Sequence, residues 1–375
     1  MRKTGRYEYV GAVQHLAPDP LPPKDPPFTL SPELAALYGQ TMLDLGKLNG
    51  MVSRLPDIHR FIKAYVIKEA LLSSSIEGIH TTLLEVFTQS LLESKPNKET
   101  QLVMNYTKAL DSALSLIKND GLPIVSRVIR QAHQALMDLG EGEKADPGNY
   151  RKQSVKVDNL VPPAASHISE LMSQLEQFIN TDETIPPLIK AGLVHVQFET
   201  IHPFLDGNGR IGRLLIVLML IDSALLTEAM IYPSYYFKKY RFEYYHWLDR
   251  VRTEGDFEGW IKFYLTAIKE SSVDAYKRVK DIEFLEKQLI QIITQEKRSV
   301  KTQDTRLHAL PILFSYPIIS INELSTQLDI SYNTASQIIL DFLSLNLLVE
   351  ENQQKRGKLF KFKAYLEILE KEYYE

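Results

Sequence analysis

Apolar residues recur at helical spacing over most of the chain, while prolines and glycines mark the ends of the predicted helices. The first helix should begin at Ser31-Pro32, because serine is a good N-cap and proline suits the first helical position. Helical periodicity then extends, with breaks, to about residue 140, resumes near residue 169 and runs to roughly residue 290. The pattern therefore predicts a mainly α-helical fold.

Two segments interrupt the helical pattern. Residues 18–27 hold six prolines in ten residues, which excludes a helix or a central strand and predicts an extended arm. Further along, a turn at Pro147–Arg151 is followed by Ser154–Val157, which alternates polar and apolar residues like a short strand. Since Asp158-Asn159 suits a hairpin turn, we expect a β-hairpin at residues 156–164, called the flap below.

A small C-terminal module should follow a charged stretch at residues 296–306. Its pattern predicts a helix over Ile318–Leu328, a second helix over Ser331–Leu345, and a strand–turn–strand unit over Val349–Phe362. Helix, turn, helix and hairpin is the layout of a winged helix. The predicted domains are an N-terminal arm with its first helices at residues 1–100, a helical core at residues 101–290 and a winged-helix domain at residues 300–375.

The amino-acid composition excludes several kinds of site and partner but says little about the fold. The 375-residue chain has no cysteine, which excludes disulfides, thiolate nucleophiles and cysteine-based zinc or iron–sulfur sites. Its 43 Lys and Arg against 47 Asp and Glu leave a net charge of −4, which argues against whole-chain binding to a polyanion. The apolar run Leu214–Ile221 is too short to span a membrane, and the first residues lead into no secretory signal. We expect a cytoplasmic protein with no membrane partner.

The segment from His202 to Arg213, HPFLDGNGRIGR, concentrates groups that suit phosphate chemistry. Two glycines flank Asn208 just before an apolar helix, so this turn can present free N–H groups at the positive end of a helix dipole. Arg210 and Arg213 are three residues apart and should lie on nearly the same helix face, where two guanidinium groups suit a polyphosphate. The alternative is a tight turn that caps a buried helix, with solvated arginines.

Two further residues add catalytic chemistry to this anion site. Asp206 stands at its edge, where a carboxylate can hold Mg²⁺ that bridges phosphates. His202 titrates near neutral pH and fits a general base. The sequence has neither a P-loop nor a dinucleotide-binding glycine fingerprint. The residues therefore predict a nucleoside triphosphate held beside a base that deprotonates a hydroxyl nucleophile.

The same segment resembles the signature of the Fic family, HxFx(D/E)GNGRxxR, and matches it at every defined position. The resemblance covers about residues 100–270 and includes Pro147–Arg151, His195–Glu199 and Tyr244–Leu248. It implies a Fic-type helical core with a β-hairpin flap. It also implies transfer of AMP from ATP to a Tyr, Thr or Ser hydroxyl of a target protein, with release of pyrophosphate.

The resemblance assigns roles to individual residues. It makes His202 the general base and Asp206 the Mg²⁺ ligand. A sister group that transfers phosphate has lysine at the position of Gly209, so this glycine favours adenylyl transfer. The implied ATP-binding residues are Gly207, Asn208, Gly209, Arg210, Ile211, Gly212 and Arg213.

A second motif, Ser73 to Gly78, resembles the inhibitory motif (S/T)xxxE(G/N) of Fic proteins. Ser73 and Glu77 are four residues apart and share a helix face. Taken alone, the segment is an ordinary helix end with Gly78 as its C-cap. The resemblance implies instead that Ser73, Glu77 and Gly78 are inhibitory, with Glu77 paired to Arg213 in the place of the ATP γ-phosphate. In some relatives such a glutamate also aligns a water that removes AMP.

The predicted contacts with the target protein and with the adenine require exposed groups on the flap and at Tyr244. The flap would bind an extended segment of the target by main-chain pairing, unless its two adjacent prolines simply protect that edge. Tyr244 would stack on the adenine, and the alternative is that it packs between helices. We expect His195 to be a buried packing histidine and Phe204 to anchor its loop in the core.

The C-terminal module gives little sign of its partner. It carries five basic and five acidic residues between Ile318 and Lys363, so it lacks the excess of positive charge that DNA-reading domains show. Its predicted recognition helix offers Asn333 and Thr334 but no arginine. DNA binding, protein binding and pairing with a second copy of the chain all stay open. The competing function is a winged-helix transcriptional regulator that uses the core as a nucleotide sensor.

Overall fold

The computed structural model describes residues 2–52, 59–91, 96–138, 146–157, 160–296, 299–351 and 357–372. The described part is mainly α-helical, which confirms the predicted fold class. Its helices are α1 (Pro32–Val52), α2 (His59–Ile76), α3 (Leu83–Gln89), α4 (Lys98–Lys118), α5 (Ser126–Leu136), α6 (Ile168–Thr181), α7 (Pro187–Ile201), α8 (Asn208–Asp222), α9 (Ser234–Lys239), α10 (Arg241–Glu254), α11 (Phe257–Gln295), α12 (Val300–Ser315), α13 (Ile321–Leu328), α14 (Tyr332–Ser344) and α15 (Lys363–Glu370). None of these helices combines the length and apolar character needed to cross a membrane.

An N-terminal β-hairpin precedes the helices, and the sequence analysis did not predict it. Strands β1 (Gly5–Val10) and β2 (Val13–Pro18) pair antiparallel, with Gly5 opposite Pro18 and Val10 opposite Val13. The proline arm that follows lies against the body of the protein. The Arg2 guanidinium fixes it by donating to the carbonyls of Pro26 and Pro27 and to both carboxylate oxygens of Glu258 on α11.

The apolar core is continuous and has α7 and α8 at its centre. Residues 188–201 of α7 are buried with the exception of Lys190, and Leu214–Ile221 of α8 are buried on every side. A helix that is apolar all round belongs inside a protein, so the core fixes both helices rigidly. The connection between them, residues 202–207, and the first turn of α8 therefore have a fixed position.

The flap differs from the predicted hairpin. Its described residues contain one antiparallel bridge, Val157 with Leu160, in place of a strand at Ser154–Val157, and the predicted turn Asp158-Asn159 lies outside the described residues. Prolines at residues 162 and 163 have no N–H to donate, so a longer ladder cannot form there. Strand β2 runs alongside instead, with the Leu16 N–H donating to the Val161 carbonyl at 3.0 Å.

The C-terminal module contains α13, α14 and a three-stranded antiparallel sheet of order β3 (Ile318–Ser320), β5 (Leu359–Lys361) and β4 (Val349–Glu350). The helix predicted from Ile318 begins at Ile321, because the Ser320 side chain caps it by accepting from the Glu323 N–H. The tip predicted for the strand–turn–strand unit is Lys355-Arg356-Gly357-Lys358, and its first two residues lie outside the described residues. The winged-helix assignment stays a prediction.

The charged stretch before this module is not a free linker where the structure describes it. Arg306 on α12 is buried and pairs with Glu296 at 2.7 Å and with Asp341 at 2.6 Å. Phe314 at the end of α12 packs edge-on against Phe61 of α2, with ring centroids 5.4 Å apart. The module is thus joined to the same core as α2.

Candidate active site

The connection between α7 and α8 is a tight loop. Helix α7 ends with His202 in the left-handed conformation at φ 49°, and Gly207 takes the same region at φ 78° just before α8 begins. The Asn208 side chain closes the loop on both sides, accepting from the Phe204 N–H at 2.8 Å and donating to the Phe204 carbonyl at 2.9 Å. Asn208 therefore shapes the turn that exposes the N-terminal amides of α8.

A buried histidine that the sequence analysis did not single out supports this loop. His133 of α5 stacks on the Phe204 ring at 3.7 Å between centroids. Its Nδ1 accepts from the Gly148 N–H at 2.9 Å, so Nε2 carries the proton and donates to the Asp206 carbonyl at 3.0 Å. Burial lowers the pKa of His133 to about 4, which keeps the ring neutral in this role. Phe204 is fully buried and anchors the loop as expected.

His202 is held by a second buried side chain, Arg151, which the sequence analysis named only as the end of a turn. The Arg151 guanidinium donates from Nε to the His202 carbonyl at 2.8 Å and from Nη2 to the Pro163 carbonyl at 2.7 Å. It thereby ties the flap to the loop. Burial lowers the pKa of His202 to about 4, and the charges of Arg252 and Arg151 act in the same direction. The imidazole is therefore unprotonated at neutral pH, as a general base requires.

Arg210 has unused hydrogen-bonding capacity inside the protein. Its side chain is buried, yet Nε and Nη1 find no hydrogen-bond partner among the described residues. Nη2 lies 3.8 Å from the Met137 sulfur and 3.6 Å from the Asp206 carboxylate. A buried guanidinium with free donors beside a helix N-terminus suits a phosphate group.

Asp206 is placed at the edge of the site, as the sequence predicts. Its side chain is 66% exposed, and Oδ1 accepts from the Gly207 N–H at 2.6 Å. No group of three acidic or histidine side chains that could hold a metal ion occurs in the described part of the chain. One carboxylate fits Mg²⁺ only where substrate phosphates and waters supply the other oxygens, which is the usual arrangement for this ion.

Arg213 lies in a buried pocket formed by the end of α2. Its Nη2 donates to Glu77 Oε1 at 2.6 Å, and Nε donates to the Ser73 hydroxyl at 2.9 Å. Burial alone lowers the pKa of Arg213, but Glu77 and the neighbouring Glu199 reverse this and hold it above its usual value. Helix α2 ends at Ile76, and Gly78 takes φ 79° beyond it. The predicted contact between the two motifs is thus present.

Two glycines make room for carboxylates around Arg213. A Cβ on Gly209 would lie 2.3 Å from Glu77 Oε1, and a Cβ on Gly212 would lie 2.4 Å from Glu199 Oε1. Glu199 is buried, and burial raises its pKa to about 7. Any side chain at either glycine would push these groups away from Arg213. Ile211, between them, is 1% exposed and packs in the core.

Comparison with known proteins identifies the family of this site. Residues 123–220 match the Fic/DOC family, and residues 36–115 match the N-terminal region of the same family. Residues 123–220 form a Fic domain. The two matches include the loop, α8 up to Leu220 and the end of α2 with Glu77.

Two curated relatives of this chain come from fruit flies. The protein adenylyltransferase Fic of Drosophila willistoni is 30% identical over 251 residues, which is 64% of this chain and 48% of the relative. The protein of the same name from Drosophila melanogaster is 30% identical over 211 residues, 54% of this chain and 40% of the relative. The chain therefore spans half the length or less of these relatives.

Solved structures support the Fic fold. A Fic family protein from Desulfovibrio desulfuricans aligns with a TM-score of 0.56 and 20% identity, covering 89% of this chain and 97% of that one. A Fic domain containing signaling protein from Bacteroides thetaiotaomicron aligns with a TM-score of 0.52 and 18% identity, covering 64% and 97%. At these identities the likeness concerns the fold alone.

Tyr244 lies inside the Fic core rather than at the mouth of the site. It is 1% exposed, and its hydroxyl lies 2.8 Å from Nε2 of the buried His195. Its ring also stacks near Phe237 at 4.7 Å between centroids. This placement favours the helix-packing interpretation of Tyr244 over adenine stacking, and it places His195 in the core as expected. The neighbouring Tyr245 is only partly buried.

Proposed function

We propose that this Fic-domain protein transfers AMP from ATP to a tyrosine, threonine or serine hydroxyl of a target protein. The observation that carries the proposal is the buried Arg210, whose Nε and Nη1 have no partner among the described residues. Buried donors without partners are costly, and those of a guanidinium are best satisfied by an anion. Arg210 lies on the first turn of α8, directly after the loop that begins with His202, whose imidazole is unprotonated. Phosphate binding and a base thus occur together.

The residues divide the reaction between them. The amides at the start of α8, with Arg210 and Arg213, would hold the triphosphate. The His202 imidazole would take the proton of the target hydroxyl as its oxygen attacks the α-phosphorus. The bond from the α-phosphorus to the bridging oxygen breaks, and pyrophosphate leaves. Mg²⁺ held by Asp206 supplies charge neutralisation on the phosphates when it is bound.

The names of relatives agree with this proposal. The curated Drosophila proteins are called protein adenylyltransferases, which favours AMP transfer over phosphate transfer. It also favours an enzyme over the competing transcriptional regulator. On the described part of α14, Asn333 and Thr334 are exposed, and no further observation supports DNA binding. DNA binding and self-association of the C-terminal module stay predictions.

Glu77 would inhibit the transfer. Its carboxylate accepts a hydrogen bond from the Arg213 guanidinium, which the triphosphate needs. Because Gly209 has no side chain, the carboxylate can approach the first turn of α8. ATP must therefore compete with an ion pair that is already satisfied. Alignment of a water by Glu77 for AMP removal stays a prediction.

The target segment would dock on the flap. Arg151 ties the flap to the His202 carbonyl through Pro163, so a chain bound there lies near the base. Strand β2 already uses the Val161 carbonyl, through the N–H of Leu16. An incoming strand must therefore add to the flap from the side away from β2.

The pH dependence tests the base. Because burial lowers the pKa of His202 to about 4, the transfer rate of a Glu77→Gly variant should stay level down to about pH 5 and fall near pH 4. Initial rates of AMP incorporation across this range measure it. Glu199, with a pKa of about 7, is the competing titrating group, so Glu199→Gln is the control. A midpoint near 6.5 that persists in this control contradicts the assignment.

Removal of the metal tests Asp206. Asparagine at this position can still accept from the Gly207 N–H, so Asp206→Asn keeps the loop while removing the charge. We expect the Mg²⁺ concentration for half-maximal rate to rise about tenfold. EDTA should abolish transfer by the protein that retains Asp206. Full transfer without any divalent cation contradicts the role of Asp206.

A further inference from the structure

Arg213 makes more contacts with Ser73 than with the inhibitory glutamate. Nε donates to the Ser73 hydroxyl at 2.9 Å and Nη2 donates to the Ser73 carbonyl at 3.0 Å, while Glu77 receives one bond, from Nη2. The serine and the guanidinium are both buried. The Nη1 atom points the other way, because it lies 3.1 Å from the position that a Cβ on Gly209 would take. The Ser73 contacts therefore leave Nη1 facing the first turn of α8.

Ser73 is held in place by groups that do not include Glu77. Glu69 lies one turn earlier on the same face of α2 and is 2% exposed. Its carboxylate accepts from the hydroxyl and N–H of Ser234 on α9, and from the Tyr106 hydroxyl of α4 at 3.5 Å. These contacts fix α2 to two other helices at the level of Ser73. Removal of the Glu77 side chain breaks none of them.

We propose that Ser73 is a positioning residue for AMP transfer, which keeps Arg213 aimed at the phosphates once Glu77 has been displaced. The proposal rests on the proposed function, because it takes the triphosphate as the partner of Arg213. A guanidinium donates in a rigid planar fork, so two bonds on its Nε–Nη2 side set the direction of Nη1. The serine hydroxyl and carbonyl provide these two bonds and leave no charge to compete with ATP.

Loss of a positioning residue and loss of an inhibitory residue change the rate of AMP transfer in opposite directions. If Ser73 only supported inhibition, its loss would raise transfer in the wild type and change nothing once Glu77 is absent. If Ser73 positions Arg213, its loss lowers transfer in the Glu77→Gly background. The comparison of Glu77→Gly with Glu77→Gly/Ser73→Ala separates the two.

Ser74 provides a matched control. It is as buried as Ser73, and its hydroxyl has no hydrogen-bond partner among the described residues. Ser74→Ala therefore removes an equally buried hydroxyl that does not contact Arg213. In the Glu77→Gly background we expect Ser73→Ala to raise the KM for ATP about tenfold, the scale of a lost hydrogen bond to a charged group, with a smaller change in kcat. Ser74→Ala should leave both constants near those of Glu77→Gly.

Titration calorimetry with ATP and Mg²⁺ on the same variants of the 375-residue chain separates this proposal from the proposed function. Weaker ATP binding in Glu77→Gly/Ser73→Ala, with unchanged binding in the Ser74 control, supports the role of Ser73. Equal ATP affinity and equal KM with and without the Ser73 hydroxyl overturn it, as does an equal loss in both serine variants. If Glu77→Gly binds ATP but transfers no AMP, the proposed function fails, while the binding comparison still decides the role of Ser73.

Discussion

Replacing Glu77 by Gly should raise AMP transfer, including self-labelling, about tenfold to a hundredfold over the wild type. The Glu77 carboxylate accepts from Arg213 Nη2 at 2.6 Å, and its loss removes the negative charge that competes with the triphosphate for this guanidinium. Position 77 lies beyond the end of α2, so a glycine there does not interrupt the helix. AMP incorporation by wild type and variant at equal protein and ATP concentrations measures the gain.

Two companion variants show that the gain comes from Arg213. Glu77→Gln keeps the size of the side chain and removes its charge, so it should activate less than glycine and more than the wild type. Glu77→Gly/Arg213→Ala should lose the gain, because the freed guanidinium is its cause. A Glu77→Gly protein that melts like the wild type and labels no faster would contradict inhibition by Glu77, and the segment would then be an ordinary helix end.

Removing the base should lower the transfer rate by a factor of about 10² to 10⁴. A target hydroxyl is a poor nucleophile at neutral pH, since even tyrosine has a pKa of about 10. The structure guides the choice of substitution, because His202 has φ 49°, where alanine is strained and asparagine is tolerated. His202→Asn therefore removes the base with less disturbance of the loop than His202→Ala.

ATP binding provides the control for this variant. The amides of α8 and both arginines do not depend on the imidazole, so His202→Asn in the Glu77→Gly background should bind ATP as tightly as Glu77→Gly alone. Loss of binding together with rate would indicate a damaged loop. Unchanged transfer by both His202 variants would remove this residue from the mechanism.

The sequence predicted the parts of the site that depend on local spacing. Four-residue spacing predicts that Ser73 and Glu77 lie on the same side of the chain, with Glu77 just beyond the end of α2, and three-residue spacing places Arg210 and Arg213 on one side of α8. The apolar run that follows fixed α8 as a buried helix, which the structure shows. The contact between Glu77 and Arg213 was predicted from the resemblance of the two motifs to the Fic family, because local spacing carries no information about contacts between distant segments.

The sequence did not predict the contacts made between distant segments. His133 lies 73 residues from its partner Asp206, and Arg151 lies 51 residues from His202. Hydrogen bonds across such separations leave no periodic signal. The burial of Tyr244 could not be predicted for the same reason, because helical spacing does not show which other helix covers its ring. The hairpin of β1 and β2 escaped notice because its exposed tyrosines, Tyr7 and Tyr9, do not mark a buried face.

The most direct test of the central claim is the fate of the two ends of ATP. Glu77→Gly protein should be incubated with Mg²⁺ and either α-labelled or γ-labelled ATP, with Glu77→Gly/His202→Asn as the control. We expect covalent label on protein from α-labelled ATP alone, with little in the control, and release of the γ-label as pyrophosphate. Label on protein from γ-labelled ATP, or none from either, would contradict AMP transfer by this site.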